Sequence, residues 1–545
     1  MEKAKIFGAL KSEAARCLRS PLLRQVLYWC LPALALGLLL RGILVARMPN
    51  AFYHGDSYTV FETYNSLATD GSYEINQKKT ALTPLLYGAL LFAHVPILPT
   101  IAILQHTLGL VLIVLVGLLV AHSYHRWRLF IIPVTILTAI DPVFLWYEHL
   151  CLPEFLYVFL VTATALTGLL VYRYPTPLSR SAFVACLFFT AAARPEGKLW
   201  CLFGTMLLAR GYWPDKRRCG FAVVGMLLFT ALCFALNRTH QGGSLLYSNV
   251  AHLTPEHLRA APGFAESNKA YFDGLRERWK VIPTKIPHER KAIVELVRSY
   301  LRQKHAPARL REVDALCSKM AVESCSKSWS RVPALALVKF RFGLEDPVAE
   351  DFGPTLLYHK QYNSFLGRSA DPDDVIHAAS RAHVFTKLVL GKDLHSKAEL
   401  AAYLRQTYHP FDPDWLSQYC ADFQRLAAAF RLPDMPLEDS APIPGIPVLY
   451  ITAILGLLAL ALRERRAANY YYLWLGAILF MVFILALTGS NRGRFRVFLE
   501  PFLVLYAVAL LDVAIDCVRG VFFRRGHETL APCPASPASA QRRLP

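Results

Sequence analysis

Ten stretches of the chain are apolar over helix-like lengths: about 25–46, 100–121, 129–147, 152–172, 181–193, 196–210, 219–237, 446–462, 469–488 and 497–517. Sustained apolar runs of this kind predict membrane-crossing helices. The run 181–210 is too long for one helix at about 1.5 Å per residue, and it is read as two, broken at "ARPEG" (193–197). The segment "TPLLYGALLFAHVPILP" (83–99) is apolar but short, with proline near both ends. It is read as a juxtamembrane or re-entrant helix, which a bilayer accepts where protein covers the backbone or the helix lies in the interface. Between 238 and 445 the pattern turns polar, with helical periodicity in "HERKAIVELVRSYLRQKH" and "KAELAAYLRQTY". The expected fold is an all-α polytopic membrane protein with about ten transmembrane helices, juxtamembrane helices and a mostly helical extracytoplasmic domain.

Charge orients this pattern. The net charge of +19 is not carried by the polar segment, where 28 Lys and Arg face 24 Asp and Glu. It lies in the N-terminus and in short loops such as "DKRR" (215–218) and "RERR" (463–466). Loops of that kind are cytoplasmic by the positive-inside rule, whereas a nucleic-acid binder would concentrate charge on a soluble domain. The domains follow: a cytoplasmic N-terminus (1–24), a transmembrane module (25–237) with an acidic first loop (48–82), an extracytoplasmic domain (238–445), C-terminal transmembrane helices (446–517) and a cytoplasmic, partly disordered tail (518–545). The first run lacks a small-residue cleavage site and is followed by further spans, so it is read as a retained helix rather than a signal peptide. Its Arg41 would have to snorkel or find a partner near the far end.

With this parity, the polar residues that interrupt the apolar pattern fall on one side. Asp56 precedes "SYTVFETYNSLA" and is either a helix N-cap or a reactive carboxylate next to a bilayer. Glu154 opens a span, where the helix dipole suits an acid. Arg194 and Glu196 flank a turn and could pair with each other. His149 reads as an interfacial histidine rather than a metal ligand, since its spacing to Glu148 and Glu154 is not diagnostic. Arg492, Arg494 and Arg496 sit where the positive-inside rule does not want them. They either contact lipid headgroups or bind a phosphate through their planar forks. Lys78 and Lys79 are further phosphate candidates or simply solvated lysines. The twelve cysteines show no metal-like spacing. Cys317, Cys325 and Cys420 lie in the polar segment, where one pair could form a disulfide or all three stay free. "NRT" (237–239) matches a glycosylation sequon by pattern only. No Gly-rich nucleotide loop, HExxH or GxSxG is present.

Five features in order resemble one family: "GDSYTVFETYNSLATDGSY" after the first helix, then "TPLLYGALL", "DPVFLWYEHLCLPEFLYVFL", "AAARPEGKLW" and "NRGRFRVFLEPFLVLYAVALL". Together they are similar to the GT-C superfamily of membrane glycosyltransferases, in particular the branch with protein O-mannosyltransferases and the lipid A aminoarabinose transferase. The likeness covers about 25–237 and 446–517. The resemblance implies a polyprenyl-phosphate-linked sugar as donor, an extracytoplasmic acceptor (lipid, glycan or protein), the lipid bilayer as surroundings and no nucleic-acid partner. It implies Asp56 as general base, Tyr58, Glu154 and Arg194 as donor-binding or orienting groups, and Arg492, Arg494, Arg496, Lys78 and Lys79 as phosphate-binding groups. The family's first loop often has two adjacent acids, but here the second is Ser57. No cofactor is therefore expected to be required, and a divalent metal is left open. The location this implies is a bacterial inner membrane, with the site on the extracytoplasmic face. The readings of other classes are a lipid-linked glycan flippase or transporter, an oligosaccharide polymerase or ligase, and an inactive scaffold in which Asp56 is only a cap.

Overall fold

A computed structural model describes residues 20–47, 49, 51, 82–93, 95–211, 216–236, 242–281, 290–333, 335, 435–437, 440–443, 448–464, 467–488 and 497–527. Among the described residues the fold is helical apart from one short antiparallel pair, β1 (Met435–Leu437) with β2 (Ser440–Ile443). The first set of helices is α1 (Pro21–Arg47), α2 (Leu82–Phe92), α3 (Ile97–Ser123), α4 (Trp127–Ile140), α5 (Pro142–Tyr147), α6 (Glu154–Arg173), α7 (Pro177–Ala193), α8 (Leu199–Gly211) and α9 (Lys216–Leu236). After 445 come α14 (Val448–Arg463), α15 (Ala468–Thr488) and α16 (Glu500–His527). Among the described residues four stretches are long and apolar enough to cross a membrane: Pro21–Ala46, Ile97–Ser123, Glu154–Arg173 and Glu500–Val518. Five more, within α4, α7, α9, α14 and α15, are apolar but shorter.

Local sequence sets the breaks. The expected span at 129–147 is two helices, because Asp141 accepts a hydrogen bond from the Val143 N–H at 2.8 Å and caps α5, with Pro142 at its first position. The run 181–210 divides as expected: α7 stops at Ala193, Pro195–Lys198 makes a 3-10 turn and α8 begins at Leu199. Thr176 and Ser179 form a capping box at the start of α7.

The threading between α1 and α3 is fixed by one backbone contact, the Ala51 N–H donating to the Leu98 carbonyl at 3.1 Å. The chain therefore returns, at Leu98, to the end of the bundle it reached at Ala51. Between them α2 has 11 residues, about 16 Å at the usual rise and short of the ~30 Å hydrocarbon core. It packs on α3 and α7, as a juxtamembrane helix would.

The opposite end is closed by charge. Asp512 is shut off from solvent and accepts from Arg463 and from the backbone N–H groups of His125 and Arg126. Arg126 reaches Asp516 at 2.6 Å and Arg173 reaches Glu464 at 3.2 Å. Between the two ends the interior is apolar and aromatic, with Trp200 stacked on Trp474 at 4.8 Å and surrounded by Phe203, Tyr470, Phe498 and Phe502. Helices α14 and α16 approach so closely that a Cβ on Gly456 would overlap the Tyr506 carbonyl.

Residues 242–335 build a separate core from α10 (Gly242–Val250), α11 (Lys269–Val281), α12 (Arg290–Gln303) and α13 (Leu310–Lys327). Tyr247, Phe264, Phe272, Ile293, Val297, Cys317 and Met320 fill it, and α10 lies against α15. This part of the polar segment is helical, as its periodicity predicts. Cys317 and Cys325 form no disulfide with each other. They lie eight residues apart on α13, about 12 Å by the helical rise, too far to bridge one another. Cys420 and the "NRT" sequon lie outside the described residues, as does "KAELAAYLRQTY".

Candidate functional site

One group of buried polar side chains collects at the end where Ala51 meets Leu98. Arg41, six residues before the end of α1, is 3% exposed and donates from Nη2 to Glu148 Oε1 at 2.5 Å and from Nη1 to the Ala139 carbonyl at 3.2 Å. Glu148 follows α5, in the turn that leads to α6. Its second oxygen, Oε2, lies 2.7 Å from His106 Nδ1 on α3. The other nitrogen of that ring, Nε2, lies 2.9 Å from His149 Nδ1. Arg41, Glu148, His106 and His149 thus form a line of four buried side chains drawn from three parts of the chain.

Sequence explains the fit. Gly109 lies one helical turn beyond His106 on the same face of α3. A Cβ there would overlap the Glu148 carboxylate, so glycine opens the space that the carboxylate fills. Gln105 fixes the next step of the turn, donating from Nε2 to the Leu150 carbonyl at 2.8 Å and to the Tyr87 hydroxyl at 3.1 Å. Tyr87 sits within electrostatic reach of Cys151 and Glu154. The turn 148–153 is therefore clamped to α3 at three consecutive residues before α6 begins at Glu154.

Glu154 is buried and lies 2.8 Å from Arg194 Nη1, while Arg194 Nη2 lies 2.8 Å from Glu196 Oε1. The pairing of Arg194 with Glu196 across the turn forms as the sequence allows, and Glu154 joins it. The guanidinium also lies over the Tyr157 ring, 5.7 Å from its centroid, and Tyr157 accepts from Trp200 Nε1 at 2.9 Å. One arginine thus contacts two carboxylates. Arg194 is thereby committed to holding Glu154 and Glu196 in place.

One sequence reading is altered here and one open alternative is decided. His149 is not interfacial: it is closed to solvent and paired with His106, because the Leu150–Gln105 clamp draws the turn inward. Arg41 does not snorkel, since Glu148 supplies the partner it needed. His106, Gln105 and Tyr87 were not singled out from the sequence. The signal was a polar pair, Gln105–His106, inside the otherwise apolar "ILPTIAILQHTLGLVL", since buried polar groups in such a run need partners. Asp56, Tyr58, Lys78, Lys79, Arg492, Arg494 and Arg496 lie outside the described residues.

The four side chains line up rather than converge. Among the described residues no three His, Cys, Asp or Glu side chains gather as a metal site would require. What the line can do is hold and move a proton, and what the Glu154–Arg194–Glu196 group can do is present fixed carboxylates to a polar ligand. No family model matches the chain, and no curated protein or solved structure matches it either.

Proposed function

We propose that this chain is an integral-membrane glycosyltransferase that moves a sugar from a polyprenyl-phosphate donor to an extracytoplasmic lipid, glycan or protein. In this reading the fold is a GT-C-like bundle crossing the membrane ten times, with the polar end of the bundle facing outward, in a bacterial inner membrane. The observation that carries the reading is the sorting of charge in the bundle. Among the described residues of the helices outside 242–335, charged side chains lie towards one end or the other, with no ladder of them between. A transporter would need polar groups along the depth of the bilayer, whereas an enzyme on a lipid-linked donor needs them at headgroup level.

Both sequence segments that carry the candidate chemistry start from that end. Ala51, five residues before Asp56, is tied to Leu98. Phe498, two residues after Arg496, packs on Tyr157 at 6.0 Å, the ring beneath Arg194. Asp56 acts as general base and takes the proton of the acceptor hydroxyl as it attacks the anomeric carbon. The polyprenyl phosphate leaves without needing a proton, its charge met by Arg492, Arg494 and Arg496, with Lys78 and Lys79. Single displacement inverts the anomeric centre. Glu154, held by Arg194, and Tyr58 orient the donor sugar.

The test compares the purified protein with Asp56→Asn, each given radiolabelled polyprenyl-phosphate sugars and an envelope extract. Transfer by the first and its loss in the second, with donor still bound, supports the reading. Equal transfer by both removes Asp56 from the chemistry. No transfer by either across a panel of sugars directs attention to lipid-linked glycan flipping, which vesicle assays measure directly.

A further inference from the structure

We infer that His106 and His149 form a two-ring proton relay, which takes up the proton released in sugar transfer and holds it as a His106 imidazolium against Glu148. The inference rests on the glycosyl-transfer reading for the source of the proton, and on geometry alone for the relay.

The three contacts assign the hydrogens. Glu148 Oε2 faces His106 Nδ1 at 2.7 Å, so that nitrogen carries a hydrogen. His106 Nε2 is then the acceptor in the 2.9 Å contact with His149 Nδ1, and the bridging hydrogen belongs to His149. A proton that arrives at His149 Nε2 forms a new N–H bond there. The bridging hydrogen then leaves His149 Nδ1 and bonds to His106 Nε2. His149 ends neutral in its other tautomer, and His106 ends as an imidazolium between Glu148 and His149. One proton enters, one N–H bond breaks, two form and no electrons change hands. Arg41 holds the other oxygen of Glu148 at 2.5 Å, and a carboxylate in this position stabilises an imidazolium without taking its proton.

The reaction supplies the proton. A sugar joined to a polyprenyl phosphate is a phosphodiester with one negative charge. When the acceptor O–H and the sugar–phosphate C–O bonds break and the glycosidic C–O bond forms, the electron pair goes to the phosphate. The leaving monoester gains a second negative charge, and the acceptor's proton, taken first by Asp56, leaves when that new carboxyl O–H bond breaks and passes on toward His149. The surroundings of the pair suit a transient cation. Arg41 of α1 is balanced by Glu148, and Asp141 at the start of α5 lies within electrostatic reach of Glu148 and of Glu500 on α16. Cys151 of the turn, Glu154 of α6 and Tyr87 of α2 are the further titratable groups here among the described residues.

A packing role would not need this arrangement. Arg41 requires one carboxylate, and Glu148 alone provides it. Two further rings, 4% and 0% exposed, extend the line at the cost of burying more polar nitrogen.

The test is nitrogen NMR on the full-length protein in lipid nanodiscs with 15N-labelled histidine. The pair is identified by the nitrogen–nitrogen coupling across its shared hydrogen bond and checked with His106→Gln and His149→Gln. On acidification we expect one proton for the two rings, entering in a single step. His149 Nδ1 should change from a protonated to an unprotonated nitrogen in that same step. Two separate titrations, no uptake, or a His149 Nδ1 that keeps its hydrogen would overturn the relay. This readout uses the unsubstituted protein, so a variant that fails to fold does not blunt it. In the transfer assay, kcat should fall on the acid side in the same pH range, where the pair is already loaded. His149→Gln should lose that acid limb while KM for the donor is unchanged, and an unaltered limb would detach the relay from transfer. A relay seen by NMR in a protein that transfers no sugar would remove the glycosyl-transfer reading and leave the proton store standing.

Discussion

Arg41 and Glu148 are 107 positions apart in the chain and 2.5 Å apart in space, with their side chains 3% and 0% exposed. The contact joins the far part of α1 to the turn that launches α6. Removing one partner of a buried pair takes away the other's counter-charge, which typically costs about 3–5 kcal/mol. Arg41→Met should therefore lower unfolding stability by about that amount, followed by tryptophan fluorescence in detergent. Arg41→Met with Glu148→Met should lose less than the two single variants summed. Simple additivity would show that the two do not act as a unit.

Gly109 gives a sharper test of the turn's position. An alanine Cβ would push into a carboxylate held on both oxygens, by Arg41 and by His106. Overpacking of this kind costs about 1–3 kcal/mol. Gly476, on α15, has nothing within 4 Å of its would-be Cβ, and alanine there should change stability by no more than about 0.5 kcal/mol. Thermal unfolding of the two variants side by side checks the contrast.

Arg194→Lys probes the carboxylates at the start of α6. A lysine keeps the charge but cannot serve Glu154 and Glu196 from one planar fork, and it loses the stacking on Tyr157. On the glycosyl-transfer reading, Glu154 then shifts relative to the donor, and kcat/KM should fall on the order of 10²-fold. Transfer kinetics measure this, with circular dichroism confirming that the helices persist.

The helices of residues 242–335 carry their own pH dependence. Glu323 on α13 accepts the backbone N–H groups of Arg259 and Ala260 at 2.8 and 2.9 Å. These bonds, that of Arg259 first, with Lys327 adding to them, hold its carboxyl down to about 2 from the usual 4.5. The folded state binds this proton more weakly than the unfolded chain. The stabilisation is therefore complete above about pH 4.5 and is lost as the pH falls toward 2. Glu323→Gln should lower the melting temperature at pH 7. The gap to the unsubstituted protein should close in acid, which differential scanning calorimetry on the full chain would show.

Much of the helical layout was legible because apolar runs, proline positions and the "ARPEG" break are local signals. Asp141 shows the limit. A window of hydropathy reads across it, whereas a single capping bond to Val143 divides the helix. The Arg194–Glu196 pair was legible for the same reason of proximity along the chain. The His106–His149 contact was not, because 43 residues separate the rings. Neither ring announces its partner: one looks like an impurity in a span and the other like an interfacial residue. Arg41 was flagged as needing a partner, but which of several carboxylates would supply it is decided by packing, through the room Gly109 leaves.

The bond between Ala51 and Leu98 has a consequence for how such a protein can change over time. Helices α1 and α3 are tied where the intervening stretch departs and comes back, so residues can be gained, lost or exchanged between them without reversing the direction of any later helix. The bundle is inherited as a fixed frame, and the chain between Ala51 and Leu98 can vary in length and sequence within it.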